Sequence, residues 1–395
     1  MISEKMWELG TKSSVIREIF EYGKKRKAEI GADNVFDFSL GNPSIPAPQK
    51  VKEAYMKLIS ETDPVILHGY TSAAGDMGVR EKIAEHIRNK FGCMADAANI
   101  YMTCGAAAAL MATLRAVVNA GDEVVVLAPY FPEYTVFIES AGATQRTVKS
   151  REPDFQIDTD AFEAALNKKT KAVIINSPNN PTGAVLSEET IKNLSEILLK
   201  KQKEYGNEIY IIADEPYREL AYGAEVPYIP NYYDNTIVCY SYSKSLSLPG
   251  DRIGYVFVSP KTADAKNVFA AVCGAGRSLG YVCAPALAQL VVGECVDEVA
   301  DISAYKENRD LLYNSLISYG YDAVKPEGAF YLFVKSPCRD ATEFCERAKK
   351  YEILFVPSDS FGYEGYVRIS YCVARETIEK SLPAFKALME EYIGA

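Results

Sequence analysis

The sequence predicts an α/β protein with a large domain, built on a mainly parallel sheet flanked by helices, and a smaller α+β domain. From about residue 51 to residue 239, apolar runs rich in Val and Ile alternate with stretches of helical period, as in βαβ units. These runs are apolar throughout, which is typical of strands covered on both faces. Past Gly280 the alternation stops. A chain of 395 residues is long enough for two domains.

Each element of the large domain is predicted from its periodicity and length. Strands are predicted at residues 100–103, 123–127, 172–176, 208–213, 236–240 and 252–258. Helices are predicted at residues 106–119, 134–141, 158–166 and 187–205.

The two ends of the chain are expected to form the smaller domain. A helix is predicted at 14–30, where Ile16 and Ile19 share a face, and it would end at Gly31. Further elements are predicted as helical stretches within 284–314, interrupted near 297–303, strands at 329–334, 353–356 and 367–371, and a last amphipathic helix at 375–393. We therefore predict a large domain of residues 45–285 and a small domain of residues 1–44 together with 286–395.

Composition and charge exclude several classes of protein. A formal net charge of −10 provides no broad positive surface, so we expect neither nucleic acid nor a membrane as a partner. The first twenty residues lack the features of a secretory signal, and the nine cysteines include no CxxC pair. We expect a cytoplasmic protein with unpaired thiols. With His68 and His86 as its only histidines, we expect no metal centre.

Polar residues follow three of the predicted strands at the point where each ends. Asn180 lies in the turn after the third strand, Asp214 and Tyr217 follow the fourth, and Lys244 follows the fifth. Singly, each has an ordinary interpretation as a turn residue, a helix cap or a solvated side chain. Ligands of open parallel sheets bind beyond the carboxyl ends of the strands. Because these four residues are expected at the same edge of the sheet, together they favour a ligand-binding site.

These residue types fit the chemistry of pyridoxal 5′-phosphate. The Lys244 amine would bind the aldehyde of the cofactor and, once displaced by substrate, would move a proton. Asp214 would keep the pyridine nitrogen protonated, and Asn180 and Tyr217 would donate to the phenolic oxygen. We therefore predict Lys244, Asp214 and Tyr217 as catalytic residues.

The phosphate of such a cofactor requires an anion site, and two segments offer one. Gly105, Ala106 and Ala107 open a predicted helix, whose free N–H groups suit a phosphate. Ser241 and Arg252, on either side of Lys244, add a hydroxyl and a fixed positive charge. An ordinary helix start and a surface arginine are the alternatives.

The segment Ser241-Tyr-Ser-Lys244-Ser-Leu-Ser-Leu-Pro-Gly-Asp-Arg252-Ile-Gly254 resembles the lysine signature of class I/II aminotransferases, the aspartate-aminotransferase-like group of fold-type I pyridoxal-phosphate enzymes. Over nearly the whole chain, further motifs stand in the order of that family: Ser39-Leu-Gly41-Asn-Pro43, Tyr70 five residues before Gly75, Gly105-Ala106-Ala107, Pro129-Tyr-Phe131-Pro132, Asn180-Pro-Thr-Gly183, Asp214-Glu-Pro-Tyr217 and Arg368-Ile-Ser370. The resemblance implies a seven-stranded sheet and a small domain that closes over the substrate.

The resemblance also implies roles for residues that the strand ends do not reveal. Phe131 would stack on the cofactor ring. Tyr70 would reach the phosphate in a neighbouring subunit, which implies a homodimer with its sites at the interface. Arg368 would bind the substrate α-carboxylate, Asn180 would add a hydrogen bond to it, and Gly41 would let the backbone pass close over the substrate.

The implied function is transfer of an amino group from an L-amino acid, either aspartate or one of a broad range, to a 2-oxo acid such as 2-oxoglutarate. A pyridoxal-phosphate-dependent C–S β-lyase would use the same residues and stays open, as does a non-catalytic cofactor-binding regulator. Some relatives have a lysine at the position of Ala107 to bind a distal carboxylate. Arg277 is the candidate for an arginine supplied by the other subunit, although its spacing to Pro285 departs from the dicarboxylate-specific branch.

Overall fold

The computed structural model describes residues 2–11 and 14–393. Met1, Lys12, Ser13, Gly394 and Ala395, which the predicted small domain includes, lie outside the described residues. The strands are β1 (Phe36–Asp37), β2 (Ile100–Thr103), β3 (Glu123–Ala128), β4 (Thr144–Lys149), β5 (Thr170–Asn176), β6 (Tyr210–Asp214), β7 (Thr236–Ser241), β8 (Gly254–Val258), β9 (Asp322–Ala323), β10 (Tyr331–Lys335), β11 (Ile353–Leu354), β12 (Val356–Pro357) and β13 (Tyr366–Ser370).

The helices agree with most of the predicted helical stretches. They are α1 (Glu4–Thr11), α2 (Val15–Ile30), α3 (Gln49–Glu61), α4 (Pro64–His68), α5 (Met77–Phe91), α6 (Ala106–Val117), α7 (Glu133–Ser140), α8 (Thr159–Ala165), α9 (Glu188–Tyr205), α10 (Tyr242–Ser245), α11 (Ala265–Ser278), α12 (Ala286–Glu294), α13 (Ser303–Ser318), α14 (Ala341–Ala348) and α15 (Arg375–Ile393). Helix α2 begins after Ser14, whose hydroxyl accepts a hydrogen bond from the Arg17 N–H, and ends at Gly31 with a φ of 94°.

The large sheet has seven strands in the order β2-β8-β7-β6-β5-β3-β4, as the resemblance implies. Strands β7, β6, β5, β3 and β4 pair in parallel, whereas β8 runs antiparallel to both of its neighbours. The edge strand β4 is missing from the predicted strands. Its sequence TQRTVK is polar and buries only Val148, so it lacks the apolar run that marks the other strands.

The reversed strand β8 determines where Arg252 lies. Ser241, the last residue of β7, pairs with Gly254, the first residue of β8. Because β8 runs opposite to the parallel strands, its beginning lies at the edge where they end. Arg252 precedes β8 and is therefore returned to the same edge as Lys244.

Both faces of the large sheet are covered, as the apolar strands predict. Along β3, Val124 and Val126 belong to a buried cluster with helices α6, α7 and α11, and Val125 belongs to a cluster with α3, α5, α8, α9 and α12. Adjacent residues of a strand point to opposite faces, so a strand buried on both sides must be apolar at every position.

The smaller domain contains a four-stranded antiparallel sheet, β12-β13-β10-β9, and the parallel pair β1-β11. The pairing of β1 with β11 joins the N-terminal part of the chain to its C-terminal part. The predicted limits at residues 44 and 285 stay predictions. Buried residues of α12, such as Val291 and Val292, pack in the cluster of the large sheet, which favours a second boundary after Cys295.

Among residues 2–11 and 14–393, no helix combines the length and the apolarity that a bilayer crossing requires. All nine cysteines are free thiols.

Candidate active site

A cleft of about 310 Å³ lies at the edge of the large sheet where its parallel strands end. It is bordered by Asn176 of β5, Asp214 of β6 and Ser241 of β7, each the last residue of its strand. The predicted residues that line it are Gly41, Ala106, Ala107, Phe131, Asn180, Asp214, Tyr217, Ser241, Lys244, Arg252 and Arg368. The structure thus brings together the residues of three strand ends and three residues that only the resemblance implied, Gly41, Phe131 and Arg368.

Asp214 is a buried carboxylate with one oxygen left without a partner. Its Oδ2 accepts a hydrogen bond of 2.5 Å from the Tyr134 hydroxyl, whereas its Oδ1 has no hydrogen-bond partner in the described chain. The pKa of Asp214 is raised to about 7, mainly by burial and to a smaller extent by the Glu215 charge. The hydrogen bond from Tyr134 acts in the opposite direction and lowers this pKa. Leaving a buried acceptor unsatisfied is costly, so Oδ1 is suited to a cationic N–H from a ligand.

Asn176 links Asp214 to the turn that carries Asn180. Its Nδ2 donates to the Asp214 carbonyl over 2.9 Å, and its Oδ1 accepts from the Asn180 N–H over 2.8 Å. The side chain of the last β5 residue therefore holds two strand ends in register. Sequence analysis treated Asn176 only as the end of a strand.

Lys244 lies on the one-turn helix α10 directly after β7. Its Nζ donates to the Gly41 carbonyl over 2.7 Å and lies 5.2 Å from the centroid of the Phe330 ring. Burial lowers the pKa of Lys244 to about 8, and the charges of Arg368 and Arg252 lower it further against the opposing effect of the Cys372 thiol. A larger fraction of this amine is therefore unprotonated near neutral pH than for an exposed lysine, and the unprotonated form is the nucleophile and base.

This lowered pKa predicts an unusual pH dependence of labelling in the cofactor-free protein. Competitive acetylation with acetic anhydride, read residue by residue by mass spectrometry, should show Lys244 reacting with a midpoint near pH 8. Exposed lysines titrate near pH 10.4, so their reactivity should still rise at pH 9 to 10. A Lys244 midpoint equal to that of the exposed lysines would contradict the assignment of a desolvated amine.

Three groups predicted to bind a phosphate lie near the start of α6. Gly105 precedes this helix with a φ of 83°, and a Cβ at this position would lie 3.0 Å from Nη2 of Arg252. Arg252 donates to the carbonyls of Pro249 and Cys104, and no ion pair links it to a carboxylate within the described residues. Ser241 contributes a hydroxyl that lies 2.7 Å from the Ser243 hydroxyl. A helix N-terminus, an arginine and a hydroxyl together suit a phosphate.

Arg368 of β13 is buried at the cleft, whereas Arg252 is exposed. It donates from Nη1 to Oδ1 of Asn180 over 3.2 Å and from Nη2 to the Ser39 carbonyl over 2.6 Å. Its Nε is buried without a partner in the described chain, and burial lowers its pKa. Its hydrogen-bond partners are neutral, so the guanidinium is suited to the carboxylate of a substrate.

Gly41 must be glycine because the backbone passes against another side chain. A Cβ at Gly41 would overlap the hydroxyl of Tyr331. The Tyr331 hydroxyl in turn lies 2.9 Å from the Tyr217 hydroxyl, so either can donate to the other. Tyr331 is a cleft residue that sequence analysis missed.

The remaining predicted residues differ in their placement. Phe131 lines the cleft, with its ring edge-on to Tyr134 at a centroid distance of 5.7 Å. Gly105 lies close to the Arg252 guanidinium but does not line the cleft. Tyr70 is 95% exposed and lies outside the cleft, as does the exposed Arg277 on α11. Within one chain neither contributes to the site, and the predicted roles of both require a second subunit.

Sequence analysis also missed Tyr134, although a signal was present. Tyr134 follows Phe131 by three residues in the sequence. Phe131 precedes α7, and the Tyr134 N–H donates to the Phe131 carbonyl over 3.0 Å, so the two residues lie in one turn. The closeness of Tyr134 to Phe131 in sequence was the available signal.

Comparisons with known proteins find similarity over nearly the whole chain. The sequence model of the family described as aminotransferase class I and II matches residues 33–385. A crystal structure of an amino transferase from Eubacterium rectale is 56% identical, covers 99% of both chains and superposes with a TM-score of 0.97. A probable aspartate aminotransferase of Methanocaldococcus jannaschii is 31% identical over 96% of this chain and 98% of its own. A probable N-acetyl-LL-diaminopimelate aminotransferase of Bacillus subtilis is 32% identical over 93% of this chain and 92% of its own.

Proposed function

The chain belongs to the aminotransferase class I and II family, and on this basis we propose that it transfers the amino group of an L-amino acid to a 2-oxo acid, with pyridoxal 5′-phosphate held in the cleft. The observation that carries the proposal is the buried, unpartnered Oδ1 of Asp214 in the same cleft as the Lys244 amine. These two groups match the acceptor and the amine that the cofactor requires.

The donor set of the cleft fits each part of the cofactor. Lys244 would hold the aldehyde carbon and Asp214 the pyridine nitrogen. Asn180 and Tyr217 would hold the phenolic oxygen, and Phe131 would cover a ring face. The phosphate would be held by Gly105, Ala106, Ala107, Ser241 and Arg252, with Tyr70 of a partner subunit. When bound, pyridoxal 5′-phosphate withdraws electrons from the substrate Cα and so makes its proton acidic.

The side chains of the cleft then divide the work of transamination. Arg368 and Asn180 would orient the substrate by its α-carboxylate, and Gly41 would let the backbone pass close to the substrate. Lys244, with its lowered pKa, would take the proton from the substrate Cα and deliver it to the C4′ carbon of the cofactor. Asp214 would hold the positive charge of the pyridine nitrogen in place, because an ion pair in a buried site is little screened by water.

The amino donor is the finer part of the proposal. Two curated relatives of nearly equal identity are named for different donors, so identity does not choose between them. Among the described residues, the cations that line the cleft are Lys244, Arg252 and Arg368. Each of them already has a proposed role towards the cofactor or the substrate α-carboxylate. A second carboxylate, as in aspartate, would depend on Arg277 of a partner subunit. We therefore propose a broad-range donor that includes aspartate, with 2-oxoglutarate as acceptor.

Half-reactions with single amino acids test the proposed function. The loaded enzyme, mixed with a panel of acidic, aromatic and aliphatic amino acids, should form a 2-oxo acid and pyridoxamine phosphate in equal amounts. Release of pyruvate, ammonia and a thiol from cysteine or cystathionine would instead identify a β-lyase, which the names of the relatives do not favour. Absence of any product would contradict both activities and would favour the non-catalytic regulator.

We also propose a homodimer with its sites at the interface and a cytoplasmic location. The exposed Tyr70 and Arg277 support the dimer, because the family resemblance gives them roles only in a neighbouring site. Sedimentation equilibrium should give a mass of two 43.6 kDa chains. Tyr70→Phe should weaken cofactor binding about fivefold, the effect of losing one hydrogen bond. A fully active monomer would contradict the interface role.

A further inference from the structure

Tyr331 lines the cleft, although none of the motifs includes it. It is the first residue of β10 and is 2% exposed. Its hydroxyl lies 2.9 Å from that of Tyr217, and its ring lies under the Arg368 guanidinium at a centroid distance of 4.7 Å. One side chain thus contacts the residues proposed for the phenolic oxygen of the cofactor and for the carboxylate of the substrate.

Strand pairing explains the contact with Arg368. In the antiparallel pair β10 and β13, Phe333 lies opposite Arg368 and Tyr331 lies opposite Ser370. Tyr331 and Phe333 are two residues apart and therefore point to the same face of the sheet. Tyr331 is consequently the diagonal neighbour of Arg368, within reach of a long side chain.

The number of protons on the two hydroxyls determines which of Tyr217 and Tyr331 donates the hydrogen bond between them. Tyr217 has a single hydroxyl proton, and it must be free of Tyr331 if Tyr217 is to donate to the cofactor. Burial raises the pKa of Tyr217 well above its usual value and that of Tyr331 to about 12, so both keep their protons near neutral pH. The consistent arrangement is that Tyr331 donates to the Tyr217 oxygen while Tyr217 donates outward.

We propose that Tyr331 is a positioning residue for both halves of the reaction site: its hydroxyl orients Tyr217 towards the cofactor, and its ring holds the Arg368 guanidinium in place for the substrate carboxylate. This inference rests on the proposed function. A cation over the face of an aromatic ring is attracted to it, and Phe361 supplies a second ring at 5.1 Å from Arg368.

Because the two contacts use different parts of the side chain, two substitutions separate them. Tyr331→Phe removes the hydroxyl and keeps the ring, whereas Tyr331→Leu removes both. Tyr321→Phe is the matched control, because Tyr321 is a buried tyrosine of the same small-domain core whose hydroxyl donates to the Phe385 carbonyl over 2.8 Å, away from the cleft.

For Tyr331→Phe we expect the dissociation constant of pyridoxal 5′-phosphate, titrated into the cofactor-free protein, to rise about three- to tenfold, the effect of one hydrogen bond. The pH midpoint of the visible absorbance should move upward. Without the Tyr331 hydroxyl, Tyr217 donates more weakly to the phenolic oxygen of the cofactor. That oxygen then keeps more negative charge, so protons close to it are held more tightly. The KM for the amino acid should stay within about twofold of the value without the substitution. Tyr331→Leu should show these changes and also raise the KM about fivefold or more, because Arg368 loses a cation–π contact.

A double-mutant cycle supplies a readout that needs no cofactor. In the cofactor-free protein, unfolding should be measured for Tyr217→Phe, Tyr331→Phe and the double variant. The effects of the two substitutions on the unfolding equilibrium constant should be non-additive by about three- to tenfold, because each removes the same hydrogen bond. The pair Tyr217→Phe and Tyr321→Phe should be additive.

The outcomes separate this inference from the proposed function. Additive effects in the cycle, or a Tyr331→Phe protein that matches Tyr321→Phe in cofactor affinity and absorbance midpoint, would overturn the role of the hydroxyl. A Tyr331→Leu protein that folds as the Tyr331→Phe protein does but keeps an unchanged KM would overturn the role of the ring. Failure of the unsubstituted protein to bind pyridoxal 5′-phosphate or to transaminate would count against the proposed function, while the cycle would still decide the pairing of the two hydroxyls.

Discussion

Lys244→Ala should lower the turnover number with the best amino donor by about 10⁴-fold or more, because the proposed function gives this one amine two roles, binding the cofactor and acting as the base at the substrate Cα. Reduction with borohydride should attach pyridoxal 5′-phosphate to Lys244 in the unsubstituted protein and to no residue in the variant. Peptide mass spectrometry after digestion measures the attachment, and stopped-flow absorbance measures the half-reaction.

The control for this experiment is Lys266→Ala, which removes an exposed lysine from α11 and should leave turnover unchanged. An added primary amine, such as methylamine, should restore part of the activity of Lys244→Ala, since the missing group is a base of small size. Unchanged turnover in Lys244→Ala, or borohydride labelling of another lysine, would remove Lys244 from its assigned role.

Asp214→Ala should slow deprotonation of the substrate Cα by about 10³-fold, because it removes the carboxylate proposed to pair with the pyridine nitrogen, and losing one partner of a buried ion pair costs about 3–5 kcal/mol. Asp214→Asn keeps the size of the side chain and removes its charge, so it should be nearly as slow. The measurement is the rate of the half-reaction at saturating amino acid. A variant with an unaltered rate would show that the carboxylate takes no part in the reaction.

Stability measurements guard against the simpler explanation that these Asp214 variants misfold. The pKa of Asp214 is raised to about 7 in the folded protein, so between about pH 4 and pH 7 the folded state binds a proton that the unfolded state has lost. Folding stability from this group therefore falls as pH rises through that range. In the cofactor-free protein, Asp214→Asn should lack this fall and should gain stability relative to the unsubstituted chain as pH increases from 4 to 8.

Most of the large sheet could be predicted because its strands must be apolar on both faces. The predicted strand at 172–176 lies within β5 (Thr170–Asn176), and the interruption predicted near 297–303 separates α12 from α13. The edge strand β4 escaped prediction since a polar strand at the edge of a sheet leaves no apolar run. The direction of β8 was also beyond the sequence pattern, because pairing direction depends on how the connecting loop returns.

The candidate site also contains residues that the sequence pattern could predict and residues that it could not. Asn180, Asp214, Tyr217 and Lys244 could be placed together from sequence because they follow parallel strands, whose ends share one edge. Gly41 and Arg368 come from distant parts of the chain, so only the resemblance named them. Tyr331 follows no strand end and lies in no motif, and its role depends on neighbours that the fold brings together.

By itself, the sequence determined the fold class, the reactive residue types and the edge of the sheet where they gather, because periodicity and strand order are properties of the chain. The tertiary structure alone decided which oxygen of Asp214 is left free, which carbonyl the Lys244 amine contacts and which ring supports Arg368. Burial and hydrogen bonding depend on residues far apart in sequence, and these interactions set the pKa values and orientations on which the proposed chemistry rests.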